Sequence, residues 1–219
     1  MSVIGITTKG NPEQAEELRL IMDNDHPIVA VTGDAGTGKN FVAIATAMQL
    51  ILDKRYGKIY YARNPVQVGE SIGYLPGTEK EKLEGFMSPL HDTAEQLAKK
   101  GKMVTKEDIL NKIEVIPIYS LRGRTLDNCV LIVDECQNFN VTELKTILTR
   151  MGKWSKLVLL GSMNQIDAKR QNKKRCDFER VIEALENEVP EFAHVHLIQS
   201  MRAPWCVKID QLLSELEQN

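Results

Sequence analysis

The stretch "IVAVTGDAGTGKNFVAIATAM", residues 28–48, decides how this chain is read. It opens with a short β-branched apolar run, continues through Gly33, Gly36, Gly38 and Lys39, and ends in residues suited to a helix. Such a glycine-rich turn lets backbone N–H groups converge at a helix N-terminus, where unpaired donors and the helix dipole favour a phosphate. The glycines allow the tight turn, and the lysine can reach the terminal phosphates of a nucleotide. The expected nucleotide contacts are therefore Gly33, Asp34, Ala35, Gly36, Thr37, Gly38, Lys39, Asn40 and Phe41. One letter departs from the pattern, because the position after the lysine is ordinarily Ser or Thr and here is Asn40. The usual hydroxyl gives one oxygen to magnesium, which demands near-octahedral oxygen ligation. Asn40 offers an amide oxygen on a longer side chain, either as a direct ligand or through a water.

Outward from this stretch, strands and helices alternate. A helix is expected over Pro12–Met22, with proline in its first turn, and strands over Ile28–Thr32 and Lys58–Ala62. Further strands are expected over Ile113–Ile118, Cys129–Val133, Lys156–Leu160 and Ala193–Ile198. Helical patterns fill 39–52, 141–152, 177–188 and 203–218, and Asn140 with Glu143 resembles a capping box. This alternation predicts an α/β fold, a mostly parallel sheet with helices on both faces. No linker or repeat interrupts it, so residues 1–219 are expected to form a single domain. A charged, helical excursion occupies about 66–112, suited to oligomerisation or to clamping a partner.

"CVLIVDECQN" runs an apolar strand into Asp134 and Glu135, which places two carboxylates at the edge where ligands sit in open parallel sheets. Asp134 is placed to hold magnesium, and Glu135 to orient or deprotonate an attacking water. "KLVLLGSMNQID" repeats the geometry, and Gln165 is suited to sensing the γ-phosphate or positioning water.

These motifs together resemble the PhoH family of P-loop ATPases, whose RecA-like core is similar to the first motor domain of superfamily 1 helicases. The resemblance covers most of the chain and rests on "NPEQ", "GDAGTGK", "ARNPVQVGESIGYLPGTEKEKL", "IYSLRGRTLDN", "LIVDECQN", "LTRMG", "GSMNQID" and "MRAP". It implies that Gln14 reads the adenine edge and that Arg63 meets nucleic acid or phosphate. It also implies that Arg122, Arg124 or Arg202 meets the γ-phosphate, within the chain or from a neighbouring subunit. Two departures, Asn40 and a serine at Ser162 where the family pattern is acidic, both fall on the metal and water side of the site.

Composition bounds the rest. The chain has 219 residues, 42% hydrophobic and 26% charged, with a net charge of -2 and a pI of about 6.1. That fits a filled globular core and shows no global basic field for nucleic acid. A local patch exists, since Lys169, Arg170, Lys173, Lys174 and Arg175 fall within seven positions, suited to a phosphate backbone or to a solvated loop. Four cysteines without paired spacing read as reduced thiols, and His194 and His196 share one strand face without a third ligand. No leader-like segment or membrane span is visible, so the expectation is a cytoplasmic protein, or one in the host cytoplasm if viral. No appended nuclease or RNA-binding domain is expected, since the loop begins only about thirty residues in.

The expected function is ATP hydrolysis with Mg2+, acting on RNA or single-stranded DNA, in an oligomer or ring. Lys39, Asp134, Glu135, Gln165 and Arg202 are the catalytic candidates, and Asn40 and Asp134 the metal ligands. A nucleotide-binding switch or scaffold, with hydrolysis impaired by Asn40, is the alternative. A small-molecule kinase fits less well, because the acidic and polar strand ends suit water rather than a phosphate acceptor.

Overall fold

The computed structural model describes residues 2–4, 6–63, 79–101, 104–163 and 176–217. Six strands form one parallel sheet: β3 (Ile28–Gly33), β4 (Lys58–Arg63), β5 (Ile113–Val115), β6 (Cys129–Asp134), β7 (Lys156–Gly161) and β8 (Phe192–Leu197). Their order across the sheet is β5-β4-β6-β7-β3-β8. The strand β7 thus lies between the loop-bearing β3 and the acidic β6, the RecA-like arrangement of a P-loop sheet. All six strands end on one edge, and the loop, Arg63, Asp134 and Ser162 gather there.

Alternation along the strands explains the layers, since successive side chains point to opposite faces. Val29, Val31, Val130 and Ile132 face one core with α1 (Pro12–Met22), α2 (Lys39–Leu52), α3 (Glu79–Gly101) and α4 (Lys106–Lys112). Ala30, Leu131, Val133 and Leu159 face the other, with α5 (Val141–Leu148) and α6 (Asp177–Glu188). Both cores are buried, each large apolar side chain contributing about 1.5–3 kcal/mol. A final helix, α7 (Pro204–Glu217), follows β8.

Local chemistry fixes the helix ends. Asn11 caps α1 by accepting the Gln14 N–H at 3.0 Å, and Pro12 follows. At the other end of α1 the buried Lys156 ammonium donates to the carbonyls of Leu20, Asp23 and His26. The capping box expected at Asn140 and Glu143 is present, with bonds of 2.8 and 2.9 Å. A second box, Thr105 with Asp108, opens α4.

Three local expectations need correction. The strand expected over 113–118 stops at Val115, because Pro117 has no N–H to give and Ile118–Leu121 winds into a 3-10 turn. The helix expected over 141–152 ends at Leu148, and the residues beyond it make an isolated parallel bridge with Leu126 instead, Gly152 N–H donating to Leu126 O and Leu126 N–H to Arg150 O. The N-terminal residues, read as a tail, make an antiparallel pair, β1 (Ser2–Val3) with β2 (Ile6–Thr7). Ile4 N–H fastens that pair to Gln49 of α2 at 2.8 Å. Of the long excursion, α3 and α4 are helical as expected, while 64–78 lies outside the described residues.

Candidate functional site

The loop from Gly33 to Gly38 leaves β3 and opens α2. Gly36 and Gly38 have φ of +83° and +89°, a left-handed conformation that glycine adopts without a steric penalty. No side chain caps α2, whose N-cap is Gly38, so the first-turn N–H groups face outward for a ligand. Thr37 closes the turn by donating its hydroxyl to Asp34 O at 2.9 Å. Lys39 Nζ curls over the loop and donates to Gly33 O at 2.6 Å and Asp34 O at 2.9 Å. Burial pulls its ammonium below the usual lysine range, opposed by the charges of Asp134, Glu135, Glu17 and Asp34.

Two further segments pack on this loop. Gln14 donates from Nε2 to Thr37 O at 2.9 Å, and a Cβ on Gly38 would stand 2.5 Å from that nitrogen. Met201 N–H donates to Gly36 O at 2.8 Å, while the Arg202 side chain lies where a Cβ on Gly36 would be, 2.5 to 2.6 Å away. Gln14 and Arg202 therefore both flank the loop from within the same chain.

At the acidic strand end, Asp134 is buried and accepts three hydrogen bonds. Its Oδ2 takes Tyr61 OH at 2.6 Å and Asn40 Nδ2 at 3.1 Å, while Asn40 Nδ2 also reaches Tyr61 OH at 2.9 Å. Its Oδ1 takes the Glu135 N–H at 2.9 Å, and Arg63 Nε lies 3.9 Å from Oδ2. Burial, then the neighbouring Glu135 charge, raises the Asp134 carboxyl above its usual range against these donors. Burial and the same Asp134 push the Tyr61 phenol well above its ordinary value, so it acts as a donor.

The amide of Asn40 thus turns its nitrogen toward the carboxylate. Its Oδ1 is buried with no hydrogen-bond partner among the described residues. A buried orphan acceptor beside a buried carboxylate is a donor set suited to a hard divalent cation.

Glu135 sits in the left-handed region at φ +57°, which swings its carboxylate back across the strand ends. Both oxygens are engaged: Oε1 accepts from Arg63 Nη2 at 2.9 Å and Oε2 from Gln137 Nε2 at 2.6 Å. Gln137 in turn accepts the Ser162 N–H at 3.0 Å, tying the end of β7 to the end of β6. Gly161 is glycine for packing, since an added Cβ would meet Phe178 at 2.7 Å and Gln137 Oε1 at 3.0 Å.

Lys39, Asn40, Asp134, Glu135, Gln14, Arg202 and Ser162 are thus gathered at one edge. Others are not. Arg124 lies within electrostatic reach of Lys58, at the N-terminal edge of the sheet, a full strand length from the loop of its own chain. Arg122 stands with Arg180 and Asp177 around the start of α5. Phe41 packs its ring on the core and under Lys100 Nζ, 4.9 Å from the centroid, so only its backbone faces the loop. Arg63 is held by Glu135 rather than open to solvent. Gln165, Lys169, Arg170, Lys173, Lys174 and Arg175 lie outside the described residues.

Sequence reasoning overlooked Tyr61, Gln137 and Glu17. Glu17 could have been found: Gln14, Glu17, Leu18 and Ile21 share one helical face, and Glu17 is fully buried with neither carboxylate oxygen hydrogen-bonded among the described residues. Tyr61 could be found only once β4 is known to neighbour β6.

The model of the PhoH-like protein family matches residues 6–214. The protein PhoH2 of Bacillus subtilis is 41% identical over 167 residues, 74% of this chain and 38% of that protein. The protein PhoH2 of Mycolicibacterium smegmatis is 34% identical over 208 residues, 93% of this chain and 46% of its own length. A PhoH-like protein of Synechocystis is 35% identical over 172 residues, 76% of this chain and 52% of its own. The chain spans about half, or less, of the length of these curated relatives. Among the described residues no helix is long and apolar enough to cross a membrane. Loop geometry, strand order and these similarities agree, and the chain belongs to the PhoH-like family of P-loop NTPases.

Proposed function

We propose that this chain acts as a single ATPase domain, hydrolysing ATP to ADP and phosphate in company with single-stranded nucleic acid, RNA first. The observation that carries the reading is the 3.1 Å contact from Asn40, on the helix opened by the phosphate loop, to Asp134 at the acidic strand end. It joins the start of the loop's helix to the strand end that carries Asp134 and Glu135. The loop N–H groups and Lys39 bind and orient the phosphates, and Gln14 and Arg202 close the loop from either side. Glu135 takes the proton as water oxygen bonds to the γ-phosphorus and the bond to the bridging oxygen breaks. Gln137 holds the carboxylate in its orientation, and Gln165 with Arg202 senses the reacting phosphate.

Magnesium, bound with the nucleotide, supplies neutralisation of phosphate charge. Asp134 and the orphan oxygen of Asn40 are the residues that would hold it. Self-association fits the same reading, because Arg122 and Arg124 are exposed away from their own loop, where a neighbour's loop would meet them.

A second reading is supported by one observation, the amide nitrogen of Asn40 on Asp134 Oδ2. In it the chain binds nucleotide as a switch or scaffold and hydrolyses little. Phosphate release from ATP with magnesium, with and without single-stranded RNA and DNA, separates the two. Release that nucleic acid stimulates and Glu135→Gln abolishes supports the motor. Silence of the wild type, with nucleotide binding intact and turnover appearing only in Asn40→Thr, supports the switch. Absence of nucleotide binding overturns both.

A further inference from the structure

Glu135 carries a contact that a general base does not need. Gln137 already orients the carboxylate through Oε2, a neutral amide donor that leaves the charge in place. Oε1 is then the oxygen left to accept a proton from water, and the Arg63 guanidinium occupies it at 2.9 Å. A cation bonded to that oxygen occupies the position from which a water would donate its proton, so the water cannot dock there while the pair holds. The pair is sheltered, with side-chain exposures of 21% for Arg63 and 30% for Glu135, so solvent competes with it weakly.

The position of Arg63 says what could draw it off. It is the last residue of β4, directly across from Asp134 in register, and β4 is separated from the loop strand β3 by β6 and β7. Three strand spacings place the Arg63 backbone about 14 Å from the loop strand, on the side of Asp134 away from the nucleotide cradle. Its guanidinium meets the carboxylates of Glu135 and Asp134 before it would meet a γ-phosphate on the loop, so a nucleotide does not draw it away from them. A phosphodiester passing along the strand-end edge is better placed, and a guanidinium binds phosphate oxygens bidentately as readily as it binds carboxylate.

We propose that Arg63 is a latch on the water-activating carboxylate: it holds Glu135 Oε1 until the phosphate backbone of a single-stranded nucleic acid takes its guanidinium, and so couples polymer binding to hydrolysis. The inference rests on the ATPase reading above. No covalent step is added; one ion pair is exchanged for another, and the base is left free.

The test measures ATP turnover against ATP concentration for the wild type, Arg63→Gln, Arg63→Lys and Arg63→Gln/Glu135→Gln, with no polymer and with poly(U), in the native sequence and in an Asn40→Thr background. A thermal melt accompanies each protein. The latch predicts that Arg63→Gln raises kcat without polymer fivefold or more, keeps KM within threefold and loses stimulation by poly(U). Arg63→Lys, still cationic but without a bidentate fork, keeps part of the stimulation. The double variant is silent, showing that released turnover still runs through Glu135. Arg63→Gln that lowers kcat, raises KM alone, or leaves polymer stimulation intact overturns the latch while the ATPase reading stands. Silence of every protein in both backgrounds, with nucleotide bound, overturns the ATPase reading and the latch with it.

Discussion

Asn40 donates its amide hydrogen to Asp134 Oδ2 at 3.1 Å and to Tyr61 OH at 2.9 Å, while Tyr61 donates to the same carboxylate oxygen at 2.6 Å. The departure from Ser or Thr is thus accommodated by a three-sided hydrogen-bond cluster. The cluster holds Asp134 in place through the amide nitrogen and leaves the amide oxygen as the acceptor offered to a metal.

Replacing that nitrogen should show in turnover. Asn40→Thr restores a hydroxyl at the helix start and removes the donation to Asp134. We expect magnesium-dependent phosphate release to rise about tenfold or more, since metal assistance supplies several kcal/mol to the transition state. The dissociation constant of a fluorescent ATP analogue should change by less than about threefold, because the cradle and Lys39 remain. An unchanged or lower rate would show that the amide is a competent substitute.

The loop should be intolerant at Gly36. Gly36→Ala forces a Cβ into the Arg202 side chain and into a left-handed conformation costing about 1 kcal/mol. ATP affinity should fall about tenfold. Adding Arg202→Ala relieves the collision but not the backbone strain, so affinity should recover in part. Full recovery would mean the backbone conformation is unimportant.

Gln137→Met keeps the volume and removes the amide that holds Glu135 Oε2. Turnover should drop about 10- to 100-fold through a misoriented base, with nucleotide affinity unchanged and stability lower by about 1 kcal/mol. A loss of affinity in step with turnover would assign Gln137 to the cradle instead.

Glu17 gives the molecule a pH dependence. Burial without a hydrogen-bond partner raises its carboxyl well above 4.5 in the fold, opposed only by the Lys39 charge. The unfolded chain ionises from about 4.5, whereas the folded chain resists ionisation. Stability attributable to this group is complete below that pH and is lost as pH rises toward the folded value. Glu17→Leu should therefore be more stable than the wild type at pH 8, by about 1–3 kcal/mol, and the gap should close toward pH 4.5. Denaturant melts at both pH values check the sign, and a gap independent of pH would contradict it.

Much of this was legible in the sequence, for a physical reason. Strands such as "CVLIV" and "LVLL" are apolar throughout because helices cover both faces, so their existence and parallel packing can be read from composition alone. The carboxylates follow, since a strand that ends in Asp134 and Glu135 must present them at its edge. The partners of those carboxylates were not legible. Tyr61 and Arg63 reach the site only because β4 and β6 are neighbours, and strand order is a long-range property that no window of residues contains. The left-handed backbone at Glu135 was equally hidden, because nothing in a glutamate announces it. Very short strands such as β1 and β2 carry too few residues for a periodicity to show.

The strand β7, inserted between β3 and β6, makes the sheet a ruler. Strands lie about 4.8 Å apart, so the backbones that carry the loop and the acidic pair are held about 10 Å apart, a gap no side chain of β3 or β6 alone need close. The gap is bridged instead from above, by the first residues of α2 leaning over the end of β7 to reach Asp134. Each residue added to or deleted from the loop would shift that helix start by about 1.5 Å along its axis, enough to break a 3.1 Å contact. The spacing from Gly33 to Lys39 is therefore a tolerance machined to the width of one β-strand as much as to the size of a phosphate.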